Sequence, residues 1–252
     1  MGDVAGPAPT LVPPRVDPAP RLLRDIALEV DPSEVLRFQG YKADREPPPP
    51  DVLELFEEAL TLGRHLIRPR AIVRWLPALP RGGDALEVAG EVLAIPGIAA
   101  RWGAVERVAA AVCTIGEALE QRVGDLWASR ELPLAAMLDS VGSGATESLA
   151  EYVNDALCQE GLVAGLRVTN RISPGYGAWD VGEQVILFRL CSGEPIGVSL
   201  NDACFMTPGK SISLLAGAGP AARVDDYFSQ CARCWMAGCA YRRAPAVRTV
   251  HR

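Results

Sequence analysis

Histidine is nearly missing from this chain: His65 and His251 are the whole supply among 252 residues. A hydrolytic triad built on histidine, or a metal site of several histidines, is therefore a poor reading, and His65 is expected to be structural. Lysine is equally scarce, with only Lys42 and Lys210. The net charge of -6 offers no basic field for a phosphate backbone, so nucleic acid is not an expected partner. No apolar run reaches the ~20 residues needed to cross a bilayer. Met1–Pro20 also lacks the apolar stretch of a signal peptide, so the expectation is a cytoplasmic chain with no membrane partner. In that reducing setting the seven cysteines are expected as thiols or metal ligands, not as a disulfide framework. Neither a Gly-x-Gly-x-x-Gly turn after a strand nor a P-loop is present, which leaves the usual nucleotide-binding α/β folds unsignalled.

What the chain does contain is regular patterning behind a proline-rich start. Residues 1–22 carry six of the 21 prolines and few large apolar side chains, and read as a flexible leader. Asp31 is placed to cap a short helix over 32–39, with Pro32 in its first turn, Glu34 completing a capping box and Gly40 ending it. After the stiff Pro47–Pro50 break, Asp51 is the expected cap of an amphipathic helix. Leu53, Phe56, Leu60 and Gly63 form its apolar stripe, and Pro69 closes it near residue 67. Residues 71–92 read as strands separated by a turn at Pro80–Asp84. Val108–Ile115 is an apolar run, and a helical pattern begins at Glu117. A long helix over 133–159 is expected to break or bend near Gly142 and Gly144. Short β-type runs follow at 185–190, 196–200 and 211–215. Helices early and strands clustered late give an α+β fold with a largely antiparallel sheet.

Three segments can carry chemistry. In Arg171-Ile-Ser-Pro-Gly-Tyr-Gly177, the Pro–Gly turn leaves backbone groups open to a ligand, because Gly175 and Gly177 have no Cβ. Arg171 beside it can grip a carboxylate through paired hydrogen bonds, and Tyr176 presents a flat face. A glycine-rich hairpin with a surface arginine fits the same residues. On a helix, Glu147 and Glu151 share a side at four-residue spacing, which also fits a solvated acidic face beside a close helix contact. Cys231, Cys234 and Cys239 form a C-x2-C-x4-C cluster whose spacing lets thiolates meet one metal. Zinc or an iron–sulfur cluster, either with Cys204, His251 or an external group as fourth ligand, and a redox-active or merely reduced thiol cluster all remain open.

Arg171-Ile-Ser-Pro-Gly-Tyr176 resembles the Arg-Pro-Ala-Pro-Gly-Tyr signature of the S-adenosylmethionine (AdoMet)-binding activation domain of cobalamin-dependent methionine synthase. Glu147-Ser-Leu-Ala-Glu-Tyr-Val153 before it, Leu187-Phe-Arg-Leu190 after it, and Phe205-Met-Thr-Pro-Gly-Lys-Ser-Ile-Ser213 extend the resemblance. It is best over residues 105–215. It implies a C-shaped α+β domain with a twisted, mainly antiparallel sheet and flanking helices. The segments would be a leader (1–22), an N-terminal helical and β portion (23–104), an AdoMet-binding core (105–225) and a Cys-rich end (226–252). Arg171 would hold the methionyl carboxylate and Glu147 the ammonium group, with Ser173, Gly175 and Tyr176 lining the pocket. The implied role is an activation subunit for a methyltransferase, acting on cobalamin carried by a partner: a methionine synthase core or another cobalamin-binding protein. A flavodoxin-type or other reductant would supply the electron. A reductive activator carrying an Fe–S cluster and a non-enzymatic zinc- and AdoMet-binding module are the alternatives. The sequence departs from the family in two places. Gly161–Asn170 holds no carboxylate before the signature arginine, and Tyr227 is displaced as the counterpart of the family's late tyrosine.

Overall fold

The apolar run after residue 107 becomes the middle of a sheet because both of its faces are covered. The structure is a computed structural model, and it describes residues 19–41 and 47–224. In strand β6 (Arg107–Thr114), Val108, Ala110 and Val112 enter one buried cluster, while Ala109, Ala111 and Cys113 enter another. A strand buried on both sides has no polar alternation, so it reads as one continuous apolar stretch.

The elements run in the order β1 (Arg21–Leu23), α1 (Pro32–Phe38), α2 (Pro50–Leu66), β2 (Arg70–Arg81), β3 (Ala85–Val88), β4 (Glu91–Ala94), α3 (Ile98–Trp102) and β5 (Gly103–Ala104). After β6 come α4 (Ala118–Ala128), α5 (Leu132–Val163), β7 (Arg167–Val168), α6 (Gln184–Leu190), β8 (Ser199–Leu200), β9 (Met206–Thr207), β10 (Ser211–Gly219) and β11 (Ala221–Ala222). The main sheet has the order β4-β3-β2-β6-β10-β7, with β1 added to β2, and all its pairings are antiparallel. Strands from both sides of residue 104 thus build one sheet. The register sets Val73, Ala111 and Leu214 in a row across three strands, and Ile72, Val112 and Ser213 in the next. The first row belongs to the cluster formed with α2, α4 and α5; Ile72 and Val112 belong to the opposite cluster with Trp102, Trp179 and Leu187.

The α+β fold with a mainly antiparallel sheet agrees with the sequence reading; several details do not. Helix α5 runs unbroken through 32 residues. Gly142 and Gly144 serve close packing instead of a bend. A Cβ on Gly142 would lie 2.7 Å from Leu119 Cδ2 of α4, and one on Gly144 would lie 3.0 Å from Val35 Cγ2 of α1. Residues 185–190 form α6, not a strand. Asp180 accepts from the Gly182 N–H and starts a 3-10 turn that continues into α6, whose buried residues Gln184, Leu187 and Leu190 fall three apart. Of the run 196–200, only Ser199–Leu200 is strand; Glu194–Ile196 is a 3-10 turn.

At the helix starts, Asp31 caps α1 as expected, accepting from Ser33, but Glu34 pairs with Arg37 instead of closing a capping box. Pro49, not Asp51, is the N-cap residue of α2, and no side chain caps that end. Leu53 is exposed, and Phe56, Ala59, Leu60 and Gly63 form the buried stripe. Arg21 and Leu22, at the end of the stretch read as a leader, belong to β1. No helix among the described residues is long and apolar enough to cross a membrane.

Candidate functional site

Helix α5 presents Asp139, Ser143, Glu147 and Glu151 at four-residue intervals, the spacing that stacks side chains along one helix face. Each end of this stripe meets a cation from elsewhere in the chain. Lys210 Nζ donates to Ser143 Oγ at 2.9 Å and pairs with Asp139 Oδ1 at 2.8 Å. Arg171 Nη2 donates to Glu147 Oε2 and to Glu151 Oε1, both at 2.8 Å.

Arg171 is delivered by a loop pinned on both flanks. Its backbone N–H donates to Asn154 Oδ1 of α5 at 3.1 Å, and the next residue, Ile172, exchanges backbone hydrogen bonds with Leu215 of β10. The side chain is only 5% exposed. Burial alone would lower the guanidinium's pKa, but the Glu147 and Glu151 carboxylates outweigh that effect and hold it above its ordinary value.

Beyond Arg171 the chain turns sharply. The Tyr176 N–H donates to the Ser173 carbonyl, with Pro174 and Gly175 at the two central positions. Gly175 has φ +83°, the left-handed conformation that glycine adopts without a Cβ penalty. Buried Trp179 anchors the far side of the loop, its carbonyl accepting from the Gly175 N–H at 2.9 Å. Tyr176 then reaches back across the turn, and its hydroxyl donates to Glu147 Oε1 at 2.9 Å.

These elements wall a cleft of about 290 Å³. Ser143, Thr146 and Glu147 line it from α5, Ser173, Pro174 and Tyr176 from the loop, and Lys210, Ser211 and Ser213 from the edge of β10. Gln184 of α6 closes one side, held by donation to the Cys204 carbonyl and acceptance from Ser213 Oγ. Ser173 is 2% exposed, and its Oγ has no hydrogen-bond partner among the described residues.

Of the residues expected at the site, Glu147, Ser173 and Tyr176 line the cleft, while Gly175 shapes the turn and Arg171 is buried against Glu147 outside the lining. The sequence reading did not single out Gln184, Lys210 or Ser213, and it took Glu151 as part of an acidic face. The four-residue spacing from Glu147 was the available signal for Glu151. Gln184 had none, because its segment read as a strand.

His65 is exposed in the last turn of α2 and takes no part in the cleft. Cys231, Cys234, Cys239, His251 and Tyr227 lie outside the described residues. Among the described residues, no group of three or more His, Cys, Asp or Glu side chains is placed to hold a metal ion. Cys113, Cys158, Cys191 and Cys204 are free thiols.

No family model and no curated protein matches the sequence. Among solved structures, the chain is similar to the MetH reactivation domain bound to AdoHcy. The TM-score is 0.63 over 84% of this chain and 81% of that one, at 16% sequence identity. The chain therefore has the fold of that reactivation domain, with its mainly antiparallel sheet and flanking helices.

Proposed function

We propose that this chain is an AdoMet-binding module that supports reductive methylation of the cobalamin cofactor of a methionine synthase or related corrinoid methyltransferase. One observation carries the reading: Glu147, which lines the cleft, is met at 2.8 Å by buried Arg171, 24 residues away in sequence. A cation and an anion side by side match the two ends of an amino-acid zwitterion. The likeness in fold to a domain bound to AdoHcy supports the same reading.

In this proposal Arg171 holds the methionyl carboxylate and Glu147 the ammonium group, each contact contributing about 1.5–3 kcal/mol. The turn at Ser173–Tyr176 takes the adenosine end, where Gly175 keeps the backbone approachable and Tyr176 offers its ring. Ser173 Oγ, buried and unpartnered among the described residues, gains a partner from the ligand. A cleft of about 290 Å³ lies at the lower edge of the ~300–1,000 Å³ typical of small-molecule pockets, so part of the ligand would stay uncovered. An uncovered methyl group is what a protein-borne acceptor needs.

Cobalamin, carried by a partner, supplies the nucleophile that takes the sulfonium methyl when an electron has been delivered. The contribution of this chain is position: a fixed zwitterion holds the methyl in line. No general base is required, which agrees with a cleft whose lining among the described residues includes no histidine. The Cys231–Cys234–Cys239 spacing supports an Fe–S cluster on the same chain as electron carrier, or a structural zinc in its place. Iron and zinc analysis after anaerobic purification reads this directly, and an iron-free chain that binds AdoMet would take its electron from a flavodoxin-type partner.

Calorimetric titration with AdoMet tests the central reading. Wild type binds, and Arg171→Ala, shown to be folded by its melting curve, binds at least about tenfold more weakly, the equivalent of ~1.4 kcal/mol. Absence of binding to the wild type rejects it.

A further inference from the structure

One guanidinium nitrogen, Arg171 Nη2, serves two carboxylates at the same distance of 2.8 Å, and the two carboxylates are not equivalent. Glu147 is 16% exposed, lines the cleft, and receives a further hydrogen bond from Tyr176 on its second oxygen. Glu151 sits one helical turn further along α5, is 33% exposed, and does not line the cleft. Two carboxylates face one guanidinium nitrogen, and their oxygens repel each other across it. The more hydrated of the two is the cheaper to release.

We infer that Glu151 is a placeholder on Arg171, occupying the position that a ligand carboxylate takes and giving it up when that ligand enters. This rests on the reading that Arg171 holds the carboxylate of an AdoMet-type ligand. The exchange conserves charge at the buried guanidinium, since two carboxylates face it before and after. Glu151 turns outward into water, and Glu147 stays in the wall with its Tyr176 contact. Glu151 is thereby a specificity-determining residue. A ligand with a carboxylate offsets the displacement; a ligand with only the adenosine part leaves Glu151 where it is and gains nothing from Arg171.

The test compares AdoHcy with 5′-methylthioadenosine by calorimetry on wild type, Glu151→Gln and Glu151→Asp. Both ligands are thioethers of adenosine with no net charge, and only AdoHcy carries the carboxylate and ammonium groups. Removing the internal competitor should tighten AdoHcy at least about threefold in Glu151→Gln, leave methylthioadenosine within about twofold, and put Glu151→Asp between wild type and Gln. Melting curves without ligand identify variants that remain folded. AdoHcy affinity that is unchanged or weaker in Glu151→Gln overturns the placeholder role, as does an equal shift for both ligands, which marks a purely structural residue. In those cases wild-type binding of AdoHcy still stands. A wild type that binds neither ligand overturns the site reading itself.

Discussion

The Tyr176 hydroxyl lies 2.9 Å from Glu147 Oε1 and ties the Ser173–Tyr176 turn to helix α5 across 29 residues of sequence. Because the tyrosine is 44% exposed, the bond adds little to global stability, and its effect is local orientation of the carboxylate. Tyr176→Phe should weaken AdoMet binding about fivefold, the equivalent of ~1 kcal/mol for a lost hydrogen bond. The melting temperature should stay nearly unchanged. A large drop in melting temperature with unchanged affinity would assign Tyr176 to the fold alone.

Ser173 gives a prediction with two opposite signs. Its Oγ is buried and finds no partner among the described residues, so without a ligand the hydroxyl carries an uncompensated desolvation cost of roughly 1–3 kcal/mol. Ser173→Ala should leave the ligand-free protein equally or more stable in urea unfolding while reducing AdoMet affinity severalfold. Loss of stability together with undiminished binding would contradict the assignment of that hydroxyl to the ligand.

Gly63 tests the packing beneath the site. On helical propensity alone, replacing a mid-helix glycine by alanine stabilises by about 1 kcal/mol. Here a Cβ would stand 2.7 Å from Val141 Cγ1 of α5, and the branched valine has little rotamer freedom with which to withdraw. Overpacking at roughly 1–3 kcal/mol should win, making Gly63→Ala a net destabilising change in denaturant titration. A stabilised variant would mean that α2 and α5 are less closely seated than described.

Two buried thiols set an alkaline limit. Burial pushes Cys113 and Cys191 up to about 12 from an ordinary value of 9.0, even though Arg171 lowers the first and Arg74 the second. Below pH 9 both thiols are neutral in folded and unfolded chains alike. Between 9 and 12 only the unfolded chain ionises them, so unfolding releases protons and stability falls as pH rises, by up to about 1.4 kcal/mol per unit for each thiol. The double variant Cys113→Ala, Cys191→Ala should show a shallower decline over that window. Peptide mapping after alkylation at pH 8 should find both cysteines modified only in denatured protein.

Local chemistry was the part of this structure most legible in the sequence. Asp31 caps α1 because an aspartate before Pro32 can do little else, and Gly40 ends the helix in the left-handed conformation. The run Val108–Ile115 was legible as an apolar stretch, and the structure makes it strand β6. Val185–Leu190 has the same texture. What turned it into helix is the Asp180 turn before it and a buried face at three-residue spacing, which a run of apolar residues conceals. Gly142 and Gly144 look like breaks in isolation. Leu119 and Val35, brought close by other helices, give them a different role, and no local pattern reports such neighbours.

The site was legible only in its ends. Arg171 and Tyr176 could be chosen for their chemistry beside a Pro–Gly turn, and Glu147 through the resemblance to the activation domain. That Arg171 also engages Glu151, and that Lys210 pairs with Asp139 on the same helix face, depends on how β10 and the 169–183 loop approach α5. Such long-range meetings follow from topology, and spacing shows only which positions share a helix face.

A crystal structure of the chain grown with AdoHcy bears most directly on the central claim. The account predicts the ligand in the cleft between α5 and the Ser173–Tyr176 turn, its carboxylate on Arg171, its ammonium group on Glu147, and Glu151 turned to solvent. Ligand bound elsewhere on the chain, or a saturated crystal with Arg171 still bridging Glu147 and Glu151 and the cleft empty, would contradict it.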